Sequence, residues 1–206
     1  MTSEGASRRN ILIASVGGQG GLTLSRVIAA AAVIQGLSVR TGETLGMSQR
    51  FGSVVSFVRV GKAGSVRSPT FGPGEADMMI CLELTECARA LKYLKRGAPV
   101  FAADIIKPPI TASIGEHRMP GRDELIGFIK EVAGSVDVVP ARELATRSGN
   151  RRAVNMVMLG VANASKPFLD DGSVEEAILS ILPGRRGETS IKAYRLGKEW
   201  VSGRSG

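Results

Sequence analysis

Residues Ile11-Leu12-Ile13-Ala14-Ser15-Val16-Gly17-Gly18-Gln19-Gly20-Gly21-Leu22 decide the fold. An apolar run, 11–14, enters a glycine turn, 15–21, and a helical run, 22–35, leaves it. That order is strand, turn, helix. Glycines let a backbone approach a ligand closely and take positive φ. The first amides of the following helix then face that ligand, and the helix dipole favours negative charge there. A phosphate is the expected guest. In G-x-G-x-x-G register the three positions are Ser15, Gly17 and Gly20, so the residue that makes the tight turn in a dinucleotide fingerprint is a serine. The acid that such a fold places after its second strand is displaced: that strand, 37–40, runs into Arg40-Thr41-Gly42-Glu43. Tight packing of the helix on the sheet explains the glycines as well as a ligand does.

A second segment narrows the reading. Gly46-Met47-Ser48-Gln49-Arg50-Phe51-Gly52-Ser53 follows the second strand and leads into a third at 54–60. It puts four polar donors, Ser48, Gln49, Arg50 and Ser53, on a loop. In open α/β sheets ligands bind outside the carboxyl ends of the strands, on such loops. The plain alternative is a solvated connection with Arg50 paired to a surface carboxylate.

In this order and spacing the two segments resemble the gamma-type subunit or domain of 2-oxoacid:ferredoxin oxidoreductases, which carries a G-x-G-G-Q-G turn and then a G-M-S-Q-R-G-G-S segment. Further matches are Gly74-Glu75-Ala76-Asp77 before the apolar run 78–82, Tyr93-Leu94-Lys95-Arg96-Gly97, and Gly149-Asn150-Arg151-Arg152-Ala153-Val154-Asn155 with Leu159-Gly160. The likeness covers about residues 10–197. Length and the Gly-Met-Ser-Gln-Arg form make it most similar to the beta subunit of the indolepyruvate branch. Ser15 and Phe51 depart from the pattern, each standing where the family has glycine; the Phe51 ring must stack on something or enter a subunit interface.

The resemblance implies a division of labour. Thiamine diphosphate and iron–sulfur clusters belong to a larger partner subunit, and ferredoxin is reached through the holoenzyme. This chain binds no cofactor alone and helps enclose the active site and the path of coenzyme A, the co-substrate. The implied cofactor-binding residues are Gly17, Gly18, Gln19 and Gly20, whose amides face an anionic group, with Ser48, Gln49 and Arg50 adding hydrogen bonds and one positive charge. Two rivals stand beside it: a free-standing nucleotide-binding oxidoreductase, and a scaffold subunit with an empty glycine turn.

Composition sets bounds. A chain of 206 residues with 43% hydrophobic and 4% aromatic content makes one domain, 1–206, with a core of aliphatic residues. The ends, 1–9 and 203–206, are expected to fray. The longest apolar helical run, 27–34, is far shorter than the roughly 20 residues that span a bilayer, and 2–10 is polar and unlike a secretory leader. A cytoplasmic protein away from membranes is expected. Net charge is +8, with Arg50, Arg147, Arg151, Arg152, Arg185 and Arg186 on loops and helix starts. Nucleic acid is a poor match, because no recognition motif appears and aromatics are too few to stack bases. An acidic subunit surface or a polyphosphorylated ligand fits better. Cys81 and Cys87 lack cluster spacing and read as buried inert thiols. The single histidine, His117, sits in a proline-rich loop with no nearby Cys or second His to complete a metal site. No catalytic triad can be assembled, and Glu43, Glu83 and Asp104, near strand ends, have no evident partner.

The remaining runs predict strands at 78–82, 100–103 and 136–139 and helices at 84–94, 122–133, 151–164 and 174–182. A hairpin is expected between 54–60 and 65–67, across Gly61-Lys62-Ala63-Gly64. Gly36, Gly97 and Gly134 suit helix C-caps, and Asn150 and Ser173 suit N-caps. The sum is a doubly wound α/β fold: a mostly parallel sheet, helices on both faces, and a C-terminal helical segment.

Overall fold

A computed structural model describes residues 8–45, 52–107 and 119–204. The segments carrying Met47 to Phe51 and His117 lie outside them. Six strands form one sheet: β1 (Arg8–Val16), β2 (Ser38–Leu45), β3 (Ser53–Gly61), β4 (Met78–Cys81), β5 (Pro99–Ala103) and β6 (Ser135–Val139), in the spatial order β2-β3-β1-β4-β5-β6. β1, β4, β5 and β6 run parallel to one another, and β3 is antiparallel to both β1 and β2. The helices are α1 (Gly21–Ile34), α2 (Leu84–Ala90), α3 (Arg122–Val132), α4 (Ala141–Arg147), α5 (Val154–Ser165), α6 (Asp171–Ile181) and α7 (Arg185–Ser202).

The period-2 geometry of strands divides the core into two layers. Ile11, Ile13, Ile80, Phe101 and Ala103 face α1, α5, α6 and α7. Leu12, Ala14, Met79, Cys81, Val100 and Ala102 face α2 and α3. All of these are buried, so the central strands are apolar on both faces, as parallel strands between helical layers must be. The expected doubly wound architecture is the one observed.

Several local expectations change. The hairpin partner of β3 is β2, since both edges of β3 are occupied by β1 and β2 and residues 65–67 form no strand. The second strand extends to Leu45, so Glu43 lies inside it, accepting a hydrogen bond from Ser25 Oγ at 3.2 Å. Arg8 and Arg9 pair with Gly61 and Val60 at the start of β1. The Arg204 guanidinium lies 3.0 Å from Asp137. Helix α5 starts at Val154, because Asn150 to Ala153 make a separate turn in which Asn150 Oδ1 accepts from the Arg152 amide. Ser173 lies within α6, and Asp170 is its N-cap. Gly134 takes no left-handed φ; a Cβ there would overlap the Gly97 backbone, so close approach is its reason. Cys81 and Cys87 are paired as a disulfide across the β4–α2 turn, with 5.3 Å between their Cα atoms, and are not free thiols.

Helix α7 is the longest helix described and packs mainly on α5. The two backbones touch where Gly160 meets Gly197. A Cβ on Gly160 would overlap the Tyr194 carbonyl, 2.9 Å from its carbon, and one on Gly197 would overlap that of Val157. Tyr194 is fully buried there. Its hydroxyl donates to Asp171 at 2.6 Å and accepts from Asn163 at 2.9 Å, and burial and Asp171 push its ionisation far up. Burial alone would raise Asp171, but hydrogen bonds from Lys198 and Tyr194 outweigh it and hold the carboxyl below its ordinary value.

Candidate functional site

The glycine turn sits at the carboxyl end of β1. Gly18 and Gly20 have φ of 90° and 86°, which side chains other than glycine rarely tolerate. Gln19 ties the turn shut. Its amide donates to the Val16 carbonyl at 3.1 Å, its Oε1 accepts from the Val16 amide at 2.7 Å, and its Nε2 donates to the Leu82 carbonyl at 3.2 Å. The turn is thereby fixed to the end of β4. Gly17 donates to the Gly52 carbonyl at 2.9 Å, which joins the turn to the start of β3. Asn155 braces it from α5, with Nδ2 donating to the Gly20 carbonyl at 3.0 Å. Ser15 fits where a glycine is usual because residue 21 lacks a Cβ: one there would overlap Ser15 Oγ, which is directed to the Val54 carbonyl at 3.3 Å.

This geometry divides the four turn residues. The amides of Gly17 and Gln19 are already engaged within the fold, so neither can present its N–H to a ligand. Gly18, Gln19 and Gly20 border a cleft of about 770 Å³. Gly17 does not. Ser48, Gln49 and Arg50 lie outside the described residues, and their described neighbour Gly52 is the one bonded to Gly17.

The cleft is walled by the starts of several elements. Lys107 comes from the segment after β5, Arg142 from the first turn of α4, Arg151 and Arg152 from the turn before α5, and Arg185 and Arg186 from the first turn of α7. The described lining holds six cations and no Asp or Glu. None of the six is ion-paired to a carboxylate among the described residues. Asn150, Asn155, Thr189 and Ser190 add hydrogen-bonding groups, and the α1, α5 and α7 N-termini open onto the same space. Such a cleft is built for multiply charged anions.

Charge alone had marked Arg151, Arg152, Arg185 and Arg186. Arg147, marked with them, ends α4 and does not border the cleft. Lys107, Arg142, Thr189 and Ser190 were missed. The signals were there for two of the elements: Pro140 before Arg142 and Pro183-Gly184 before Arg185 are helix-start punctuation.

Glu83 lies beneath this rim. It is fully buried at the end of β4 and caps α2, accepting from the amides of Thr85, at 3.0 Å, and Glu86. Burial raises its pKa, opposed by those bonds and by the backbone N–H of Lys107. It therefore links the β4 end to the segment that carries a cleft cation. Asp104 is held by Arg122 through two bonds of 2.8 and 2.9 Å, and so is structural.

Comparison with known proteins gives a consistent set. The family model described as pyruvate ferredoxin/flavodoxin oxidoreductase matches residues 10–200. An indolepyruvate oxidoreductase subunit IorB from Archaeoglobus fulgidus is 41% identical over 96% of this chain and 98% of its own length. The PORC subunit of pyruvate oxidoreductase from Thermotoga maritima superposes with a TM-score of 0.70 at 18% identity, covering 94% of this chain and 97% of that one. A 2-oxoglutarate:ferredoxin oxidoreductase from Magnetococcus marinus, solved with 2-oxoglutarate, coenzyme A and succinyl-CoA, superposes with a TM-score of 0.73 at 19% identity over 96% of this chain and 32% of that one. The two structures speak to the fold.

Proposed function

The chain belongs to the pyruvate ferredoxin/flavodoxin oxidoreductase family, and from that premise we propose that it is the small subunit of an indolepyruvate-type enzyme whose basic cleft holds the phosphates of coenzyme A. The holoenzyme converts an arylpyruvate and coenzyme A to an arylacetyl-CoA, carbon dioxide and reduced ferredoxin. The arylpyruvate preference follows from the likeness to the IorB subunit. The observation that carries the proposal is the cleft over the glycine turn, whose described lining holds six cations and no carboxylate, with three helix N-termini. Charge-assisted bonds from arginine to phosphate are the strong, directional kind.

Within the site, Gly18 and Gly20 let the backbone come close to a phosphate. Gln19 and Asn155 act at one remove by holding the turn. Ser48, Gln49 and Arg50 add donors from the β2–β3 connection.

An iron–sulfur cluster does not fit the described residues. They contain no group of three or more His, Cys, Asp or Glu side chains that could hold a metal, and the two cysteines are paired with each other. The redox centres and thiamine diphosphate are assigned to the larger partner. Among the described residues no helix is long and apolar enough to cross a membrane.

The test is reconstitution with the larger subunit and Arg151→Ala/Arg152→Ala. Each lost charge-assisted bond costs roughly 1.5–3 kcal/mol, so the KM for coenzyme A should rise by one to two decades or more with assembly intact. An unchanged KM would remove the cleft from the coenzyme A path. Higher kcat/KM on pyruvate than on indolepyruvate would overturn the arylpyruvate assignment.

A further inference from the structure

The chemistry of the cleft wall says what kind of anion it can tell apart. Recognition of a nucleobase needs a flat shelf held in place, an aromatic ring or a fixed guanidinium plane, and hydrogen bonds to the base edge. The described lining contains no Phe, Tyr or Trp, and its larger apolar side chains are Ile105, Val154 and Leu182. Positive charge dominates instead, and it comes from separate elements. Arg142, Arg151, Arg152, Arg185 and Arg186 are exposed, and no described carboxylate holds them in one arrangement. Long unpaired guanidinium groups can converge on whichever pattern of phosphates is offered.

Resting on the reading of the cleft as the phosphate site for coenzyme A, we infer that it selects for phosphate density and not for the nucleoside. Base-free polyphosphates then occupy it and compete with coenzyme A. The oxidoreductase carries a built-in inhibition by small polyanions at the site of its own co-substrate. Because the cations are exposed, this inhibition weakens as salt rises.

Titration calorimetry on the full chain tests this with tripolyphosphate, adenosine 3′,5′-bisphosphate and adenosine. Tripolyphosphate should bind within about threefold of the bisphosphate or more tightly, and adenosine should not bind measurably. Affinity for both phosphate compounds should fall roughly tenfold between about 20 and about 150 mM salt, as screening of exposed charge requires. Arg185→Ala/Arg186→Ala, and separately Arg152→Ala, should weaken tripolyphosphate binding at least tenfold and threefold at unchanged melting temperature. In the assembled enzyme tripolyphosphate should raise the KM for coenzyme A and leave kcat alone. A bisphosphate that binds tenfold or more tightly than tripolyphosphate overturns the inference but leaves the coenzyme A site standing, because guanidinium stacking on adenine would then be reading the base. If neither phosphate compound binds, or if the arginine variants bind as the wild type does, the cleft is not the phosphate site and both readings fall.

Discussion

Replacing Gly160 by alanine tests the packing that holds one wall of the cleft. The new Cβ would overlap the Tyr194 carbonyl oxygen, lie 2.9 Å from its carbon and 3.2 Å from the Lys198 nitrogen. All three are backbone atoms of α7, so no rotamer change can relieve the contact. The helices must part by roughly 1 Å to restore ordinary carbon contacts. That separation loosens Tyr194, Met156, Val157 and Val161, all fully buried. Overpacking of a tight core costs about 1–3 kcal/mol, occasionally more. With the clash on backbone from a fully buried crossing, about 3 kcal/mol is expected. For a domain of this size that lowers Tm by roughly 6–12 °C. Thermal unfolding followed by circular dichroism reads it directly. Gly197→Ala meets the same crossing from the other side, so the double variant should lose less than the sum of the singles. A Tm for Gly160→Ala within 2 °C of wild type, or strict additivity, would refute a backbone-on-backbone crossing.

Gly127→Ala is the counterpart. It lies in α3 with nothing within 4 Å of a new Cβ, so helix propensity should raise stability by about 0.5–1 kcal/mol, seen as a higher melting temperature. Asn155→Ala removes the bond to Gly20 and should cost roughly 0.5–1.5 kcal/mol; if the brace matters, the KM for coenzyme A rises in the complex as well, and a change in Tm alone would limit Asn155 to packing. Glu83 gives a pH signature. Burial raises its folded pKa above the unfolded value, so its contribution is fully present below the ordinary glutamate pKa and is lost as pH rises through the raised one. The stability of wild type minus that of Glu83→Gln should therefore fall as pH rises above the ordinary glutamate value of 4.5, and a flat or rising difference would contradict the raised pKa.

The sheet was readable because its central strands are near-continuous apolar runs. Ile11 and Ile13 against Leu12 and Ala14 already describe a strand buried on both faces. Helix α7 was not delimited, for a physical reason. Its buried face is Gly187, Ser190, Ala193, Tyr194 and Gly197, mostly small residues chosen for close approach, and so it lacks the apolar stripe that marks an amphipathic helix. The β2–β3 pairing was missed because Gly61-Lys62-Ala63-Gly64 carries a good turn signal and nothing local reveals that both edges of β3 are taken. The glycine turn and four cleft arginines could be named from motif and charge. Lys107 could not, and Arg142 only as part of the helix start that Pro140 marks, since a cation becomes a cleft residue when distant helix starts are brought together. The Cys81–Cys87 pairing has no spacing signature of its own.

The cleft draws one wall from the first turn of the fold and another from its last helix. A nascent chain carries the glycine turn long before Arg185, Arg186, Thr189 and Ser190 are made. Closing that long a loop carries an entropic cost that a local contact does not. Binding competence therefore reports on completion: a protein truncated before α7 keeps the motif and loses the site.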